Sequence, residues 1–284
     1  MNRPTNILSH LRELFPGART TTLRRMVADG RVNINGERVR SVNRAITAGD
    51  RITVLPTPSG RRARGRHIIY SDAHICIYNK PVGLITSTTR DERRPTAIRE
   101  LEKYIDRTEP AGQIYLVHRL DRDASGLLIF ARDVQSLADL KIQFRRHTIT
   151  RRYRVWVHGS PPPTGELTDN LTEGADGRVE RRPSGKPARL HYRVLASRGT
   201  SSLLEVDLYT GRKHQIRVQL AARGWPVLGD RVYGKPDGQK RLLLHATDLI
   251  IDHPAGRQRM AFRSPLPNDF HPKPPRPPGR GVSA

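Results

Sequence analysis

The stretch VHRLDRDASGLLIFARD, residues 117–133, joins a short charged segment to a continuous apolar run. His118, Arg119 and Asp121 stand immediately before Ser125 and Gly126, and Leu127 to Ala131 supplies a strand that anchors them to a sheet. Reactive side chains at the end of a rigid strand are the form a catalytic loop takes. The plain alternative is a surface turn in which Asp121 and Arg119 are solvated or paired. Other chemistries fail on spacing. Asp121 and Asp123 are too close in sequence to assure carboxylates on opposed faces of a sugar. Ser125 is not set in a hydrolase elbow, because Asp123 occupies the first glycine position of GxSxG. Neither a Walker-type loop nor GxGxxG occurs.

Working outward, a second stretch, YTGRKHQIRVQLAARGWPVLGDRVYG, fills residues 209–234. Gly211 permits a tight turn after a strand, and Ile216 and Leu220 form an i,i+4 pair on a helix that starts at His214 and stops at Gly224. Arg217 then lies near the helix start. In isolation it reads as a phosphate contact or an exposed charge; facing a carboxylate, it would hold that acid ionised and oriented. RRYRVWV sets Tyr153, Val155 and Val157 on one strand face, and LLEVDLY alternates Leu204, Val206 and Leu208 with Glu205 and Asp207. Between Val134 and Phe144, Leu137, Leu140 and Phe144 have the spacing of a helix packed on that sheet. Residues 67–270 are thus expected to form one α+β domain.

Residues 1–55 read as a smaller α/β unit. TTTLRRMVADG places Leu23, Met26 and Val27 on one helical stripe, RVNINGERV turns at Asn35-Gly36, and GDRITV adds a strand. PTPSGRRARGR, residues 56–66, has no apolar period and reads as a basic linker, and HPKPPRPPGRGVSA, residues 271–284, as a disordered tail. A chain of 284 residues suits two domains of ordinary size. Its 51 Lys and Arg against 27 Asp and Glu leave a net charge of +24, which on its own admits RNA, DNA or an acidic membrane surface as partner. No apolar run approaches roughly 18 residues, so no membrane-spanning helix is expected. The opening MNRPTNILSHLRELFPG lacks a signal-peptide core, and the expected compartment is the cytoplasm. A single cysteine, Cys76, excludes an internal disulfide, and the histidines show no HxxxH or CxxC-type spacing, so no structural metal is expected.

Taken in order, YNKPVGL (78–84), HRLDRDASGLL, RRYRVWV, GRKHQIRVQLA, GWPVLGDRVYG and LLLHATDLI (242–250) resemble the motifs of RluA-type pseudouridine synthases, across nearly all of residues 67–265. TTLRRMVADGRVNINGERV with AGDRITV resembles the S-four-type RNA-binding domain. The resemblance implies a mainly antiparallel mixed sheet with flanking helices and conversion of uridine to pseudouridine in RNA without cofactor or metal. Ribosomal RNA is the favoured substrate and transfer RNA the alternative, with no membrane and no obligate protein partner. It implies that Asp121 acts on the ribose, either attacking the anomeric carbon or taking the neighbouring proton. Tyr153 would pack on the uracil and accept the proton from its fifth carbon, Arg217 would pair with the aspartate, and Arg119 would enter the RNA stack in place of the base. Arg24, Arg25, Arg31, Arg212 and Lys213 would bind RNA. Ala124 and Lys213 depart from the threonines common in these motifs, which points to altered rate or preference rather than inactivity. His118 is expected to support the loop, and Lys80 and His245 to be structural or close to RNA.

Physical chemistry favours the same assignment. A stacked uridine hides its glycosidic bond, and extruding it costs a few kcal/mol, which a basic surface and inserted side chains offset. An ionised Asp121 needs no metal to become nucleophilic. The competing classes are a noncatalytic RNA-binding or ribosome-assembly protein and a DNA-binding protein. Asp121, Tyr153 and Arg217 together argue against the first, and the lack of a helix-turn-helix or zinc-finger pattern against the second.

Overall fold

The computed structural model describes residues 6–15, 20–28, 32–35, 37–39, 41–47, 49–54, 67–87, 94–108 and 113–272. The chain divides into two compact units, Met1–Arg62 and Ala63–Ala284. The stretch 56–66, read as a linker, and residues 273–284 of the expected tail lie outside the described residues.

In the first unit, helix α1 (Ile7–Leu14) begins where the Asn6 side chain accepts a hydrogen bond from the Ser9 amide at 3.0 Å. Helix α2 (Thr20–Ala28) follows, then strands β1 (Val32–Ile34), β2 (Glu37–Arg38) and β3 (Ile52–Val54), in the antiparallel order β2-β1-β3. The stripe read from sequence, Leu23, Met26 and Val27, is buried against Val32, Ile34 and Val54. Asn35 takes the left-handed conformation the hairpin needs, φ 53°. Helix α1 was not expected. Its signal was present in the Asn6 cap and the buried i,i+4 pair Ile7 and Leu11.

The second unit is built on an eleven-stranded sheet. In chain order its elements are β4 (Ile68–Ser71), β5 (Ile75–Lys80), α3 (Ala97–Thr108), β6 (Tyr115–Leu116), β7 (Ser125–Ala131), α4 (Val134–Arg145) and β8 (Thr150–His158). There follow β9 (Thr164–Glu173), β10 (Val179–Arg181), β11 (Lys186–Arg198), β12 (Ser201–Leu208), α5 (Gln215–Ala221), β13 (Leu244–Asp252) and β14 (Arg259–Arg263). The strand order is β10-β9-β11-β12-β8-β13-β7-β5-β4, with β6 on β7 and β14 on β13. Every pairing is antiparallel except β13 with β7. The architecture is α+β, a mixed and mostly antiparallel sheet with flanking helices.

Alternation along the central strands sorts side chains into two cores. Leu128 and Phe130 of β7 join Tyr153, Val155 and Val157 of β8, Leu204 and Val206 of β12, and Ile216 and Leu220 of α5. Leu127, Ile129 and Ala131 join Leu140 of α4 and Leu249 and Ile251 of β13 on the other side. At the parallel junction Gly126 has φ 110°, and a Cβ there would stand 2.2 Å from the Ala246 carbonyl oxygen. Only glycine lets β7 approach β13 at the point where the charged loop before it ends.

Candidate active site

The loop 117–124 is fixed by side chains that grip its backbone. The Thr86 hydroxyl donates to the Leu120 carbonyl at 2.8 Å and accepts from the Leu120 amide at 3.1 Å. On the far side of Asp121, the Arg122 carbonyl accepts from Lys80 Nζ at 3.0 Å and from the Gly83 amide at 2.9 Å. Lys80 is fully buried at the end of β5, and its other donations go to the carbonyls of Pro81 at 3.0 Å and Leu84 at 2.8 Å. Three carbonyl acceptors match the three protons of an ammonium. Burial pushes Lys80 down to about 7, against the pull of Asp121 and Asp123. With both its neighbours held, Asp121 presents a carboxylate that stays 21% exposed.

Arg217 meets that carboxylate from α5, its Nη1 donating to Asp121 Oδ2 at 3.2 Å. The rest of its guanidinium is claimed by Asp230, which accepts from Nε at 2.7 Å and from Nη2 at 2.8 Å. Asp230 is itself held by the amides of Val232 and Tyr233 at 2.9 and 3.0 Å, and the Tyr233 ring lies 5.1 Å from the guanidinium carbon. Burial works against the charge of Arg217, but Asp230 and Asp121 outweigh it and hold its pKa above the ordinary value. The helix carrying Arg217 is locked by its own buried amides. Gln219 donates to the carbonyls of Leu167 and Ala188, and Gln215 to that of Arg189.

Tyr153 lies in β8, opposite Val206 of β12 and Ala246 of β13, and is 5% exposed. Its hydroxyl has no hydrogen-bond partner among the described residues. Burial raises its pKa; the Arg151 charge opposes this and the Asp121 charge adds to it, which places the phenol in the electrostatic field of both. His118, next to the exposed Arg119, turns inward. It accepts the Ile129 amide on Nε2 at 3.2 Å and lies 4.8 Å from the Phe144 ring centroid. Burial and the Arg151 charge push it down to about 3, so it is a neutral support of the loop.

Of the residues singled out in the sequence, Asp121 and Arg217 are brought into contact across 96 positions, and Tyr153 lies within reach of the same charge. Arg212 is exposed and donates Nε to the Pro187 carbonyl at 2.9 Å. Lys213 is spent on Glu173 and on the Gly177 carbonyl. Arg24 is exposed on α2, whereas the Arg25 side chain and Arg31 lie outside the described residues. Asp230, Tyr233 and Thr86 were missed. Asp230 sits in the quoted stretch GWPVLGDRVYG, where an acid behind a glycine was the available signal. Among the described residues no cluster of three His, Cys, Asp or Glu side chains has the arrangement to hold a metal ion.

This geometry is accompanied by likeness to known proteins. Residues 74–222 match the RNA pseudouridylate synthase family, and the chain belongs to that family. Over 201 residues it is 39% identical to an uncharacterized RNA pseudouridine synthase of Chloroflexus aurantiacus, covering 68% of this chain and 63% of that protein. The match therefore spans less than two thirds of that relative's length. Over 286 residues it is 31% identical to ribosomal large subunit pseudouridine synthase D of Pseudomonas aeruginosa, covering 91% of this chain and 87% of that one. Among solved structures, human RNA pseudouridylate synthase domain containing 4 superposes with a TM-score of 0.62 at 25% identity, covering 74% of this chain and 92% of that one.

Proposed function

We propose that the protein converts uridine to pseudouridine in ribosomal RNA. The observation that carries this reading is the Asp121–Arg217–Asp230 chain. It leaves one partly exposed carboxylate at the end of a clamped loop, oriented by a guanidinium that a second acid holds in place. The isomerisation needs the uracil N1–C1′ bond broken, the base turned and a C5–C1′ bond made, with a proton passing from C5 to N1. Asp121 supplies the oxygen that acts on the ribose, as nucleophile at C1′ or as acceptor of the neighbouring proton. Tyr153 offers a ring for the displaced uracil, worth about 1–3 kcal/mol on stacking platforms, and a neutral hydroxyl that takes the C5 proton as it gives up its own, the proton that ends on N1. Arg119, exposed on the same loop, fills the gap left in the RNA stack. The basic first unit, with Arg24 on its surface, docks RNA as an S-four-like module, and the reaction takes place in the cytoplasm.

The test is to incubate the full-length protein with unmodified ribosomal RNA and chelator, then map pseudouridine by carbodiimide labelling and primer extension. Appearance of the product at one or a few uridines is expected. RNA bound but left unmodified would favour the ribosome-assembly alternative.

A further inference from the structure

Strand β8 carries three arginines within four positions, Arg151, Arg152 and Arg154, whose counter-charges differ. Arg152 donates Nε to Asp207 at 3.0 Å, and Arg154 pairs with Glu205. Alternation sets Arg151 apart from these two and alongside Tyr153. Arg151 has no carboxylate partner among the described residues. Its Nη2 donates to the carbonyls of Leu208 and Tyr209, both at 3.1 Å, and its guanidinium carbon lies 5.2 Å from the Phe144 centroid. Its Nε is buried with no hydrogen bond among the described residues, and Nη1 makes none there either. Burial lowers the Arg151 pKa from its ordinary value. Room for Nη1 exists because residue 211 is glycine, where a Cβ would stand 2.7 Å from it.

A partly buried guanidinium with an orphaned Nε and no counter-charge is unfavourable unless something supplies the missing anion. We infer that Arg151 anchors a phosphodiester oxygen of the bound RNA beside the nucleotide held at Tyr153, with Nη1, over Gly211, as the contacting donor. A uracil carbonyl would fill a donor but leave the charge uncompensated in the bound state; a phosphate does both. The inference rests on the RNA reading above and adds to it a fixed point for the backbone next to the target uridine.

The test uses the full-length protein and an RNA fragment containing a uridine that the wild type has been shown to modify, so that loss of the RNA reading is recognised first, as no product and no binding by wild type. Affinity is measured from 50 to 200 mM salt for wild type, Arg151→Gln and Gly211→Ala. The fragments are all-phosphodiester or carry a neutral methylphosphonate on either side of the target. We expect Arg151→Gln to weaken binding about tenfold and to lower the salt slope by about one, and the methylphosphonate that weakens wild-type binding to have no further effect on the variant. Gly211→Ala, which keeps Arg151 and crowds only Nη1, should show the same loss of methylphosphonate sensitivity to a smaller degree and serves if Arg151→Gln does not fold. An active wild type whose variants keep both the salt slope and the methylphosphonate penalty would overturn the assignment. A fall in the single-turnover rate with binding unchanged would also overturn it, placing the guanidinium at the base.

Discussion

Arg217 and Arg151 differ most in their counter-charge. Both are drawn away from water, and each lies about 5 Å over an aromatic ring, Tyr233 in one case and Phe144 in the other. Arg217 has two carboxylates and a pKa held up; Arg151 has two backbone carbonyls, an orphaned Nε and a pKa held down. The first is fully partnered within the protein, the preorganised arrangement that the proposed electrostatic role requires. The second is incomplete without a ligand. Tyr153 feels Arg151 and the Asp121 partner of Arg217 with opposite sign.

The contrast breaks most visibly at Asp121. Replacing it by Asn keeps the shape of the loop and leaves Arg217 its fork to Asp230, so RNA affinity should stay within about twofold while pseudouridine formation falls below detection, a loss of at least about 10⁴ for a group acting on the reacting atoms. Equal product from variant and wild type would remove Asp121 from the chemistry.

Tyr153→Phe sharpens the comparison by deleting the hydroxyl that sits in both fields. If that oxygen takes the C5 proton, the single-turnover rate should fall about 10²–10⁴-fold, whereas affinity, carried by the ring, should hold. Tyr153→Ala should in addition lose the stacking contribution. A Phe variant as fast as wild type would reduce Tyr153 to a packing surface.

Asp230→Asn would make Arg217 resemble Arg151. With the fork gone, one buried charge loses its main partner, a loss that costs about 3–5 kcal/mol when such pairs are broken from one side. Lower stability should appear in urea unfolding, together with slower turnover at unchanged affinity, since Asp230 positions Arg217 and touches no RNA in this reading. Unchanged turnover would mean that the fork is dispensable.

The sequence made one half of this contrast readable. Asp121, Arg217 and Tyr153 carry motif signals, and their elements were legible because the apolar periods are strong: all of Ser125–Ala131 is buried, and Tyr153, Val155 and Val157 share a core as alternation required. What stayed hidden depends on contacts between distant segments. Nothing in GDRVYG says that Asp230 will meet a guanidinium 13 positions earlier, and the three carbonyls around Lys80 are backbone groups with no residue signature. The missing partner of Arg151 is more elusive still, because RRYR gives no hint that its first arginine differs from the other two. Only the positions of Asp207 and Glu205 on β12 distinguish them.

The smallest predicted effect extends the contrast to a group that avoids charge instead of awaiting a partner. His245, 1% exposed, sits in a chain of hydrogen bonds that fixes its tautomer: Arg241 donates to Ser125 Oγ, which leaves the Ser125 proton for His245 Nδ1 at 2.8 Å, so Nε2–H donates to Ser264 Oγ at 3.1 Å. A second ring proton would point at a hydroxyl already donating, with Arg241 close by. Burial first, then that arginine, lowers the pKa from 6.5 to about 4. Because the folded value lies below the unfolded one, the unfolded chain binds more protons between pH 4 and 6.5. This contribution to stability is therefore whole above about pH 6.5, declines as the pH falls, and levels off below about 4, with a slope of up to about 1.4 kcal/mol per pH unit. His245→Gln should flatten the acid limb of the urea-unfolding free energy by about one proton relative to wild type, whatever it does to stability at neutral pH. An unchanged limb would mean that this imidazole takes up its proton in the folded state as readily as in the unfolded chain.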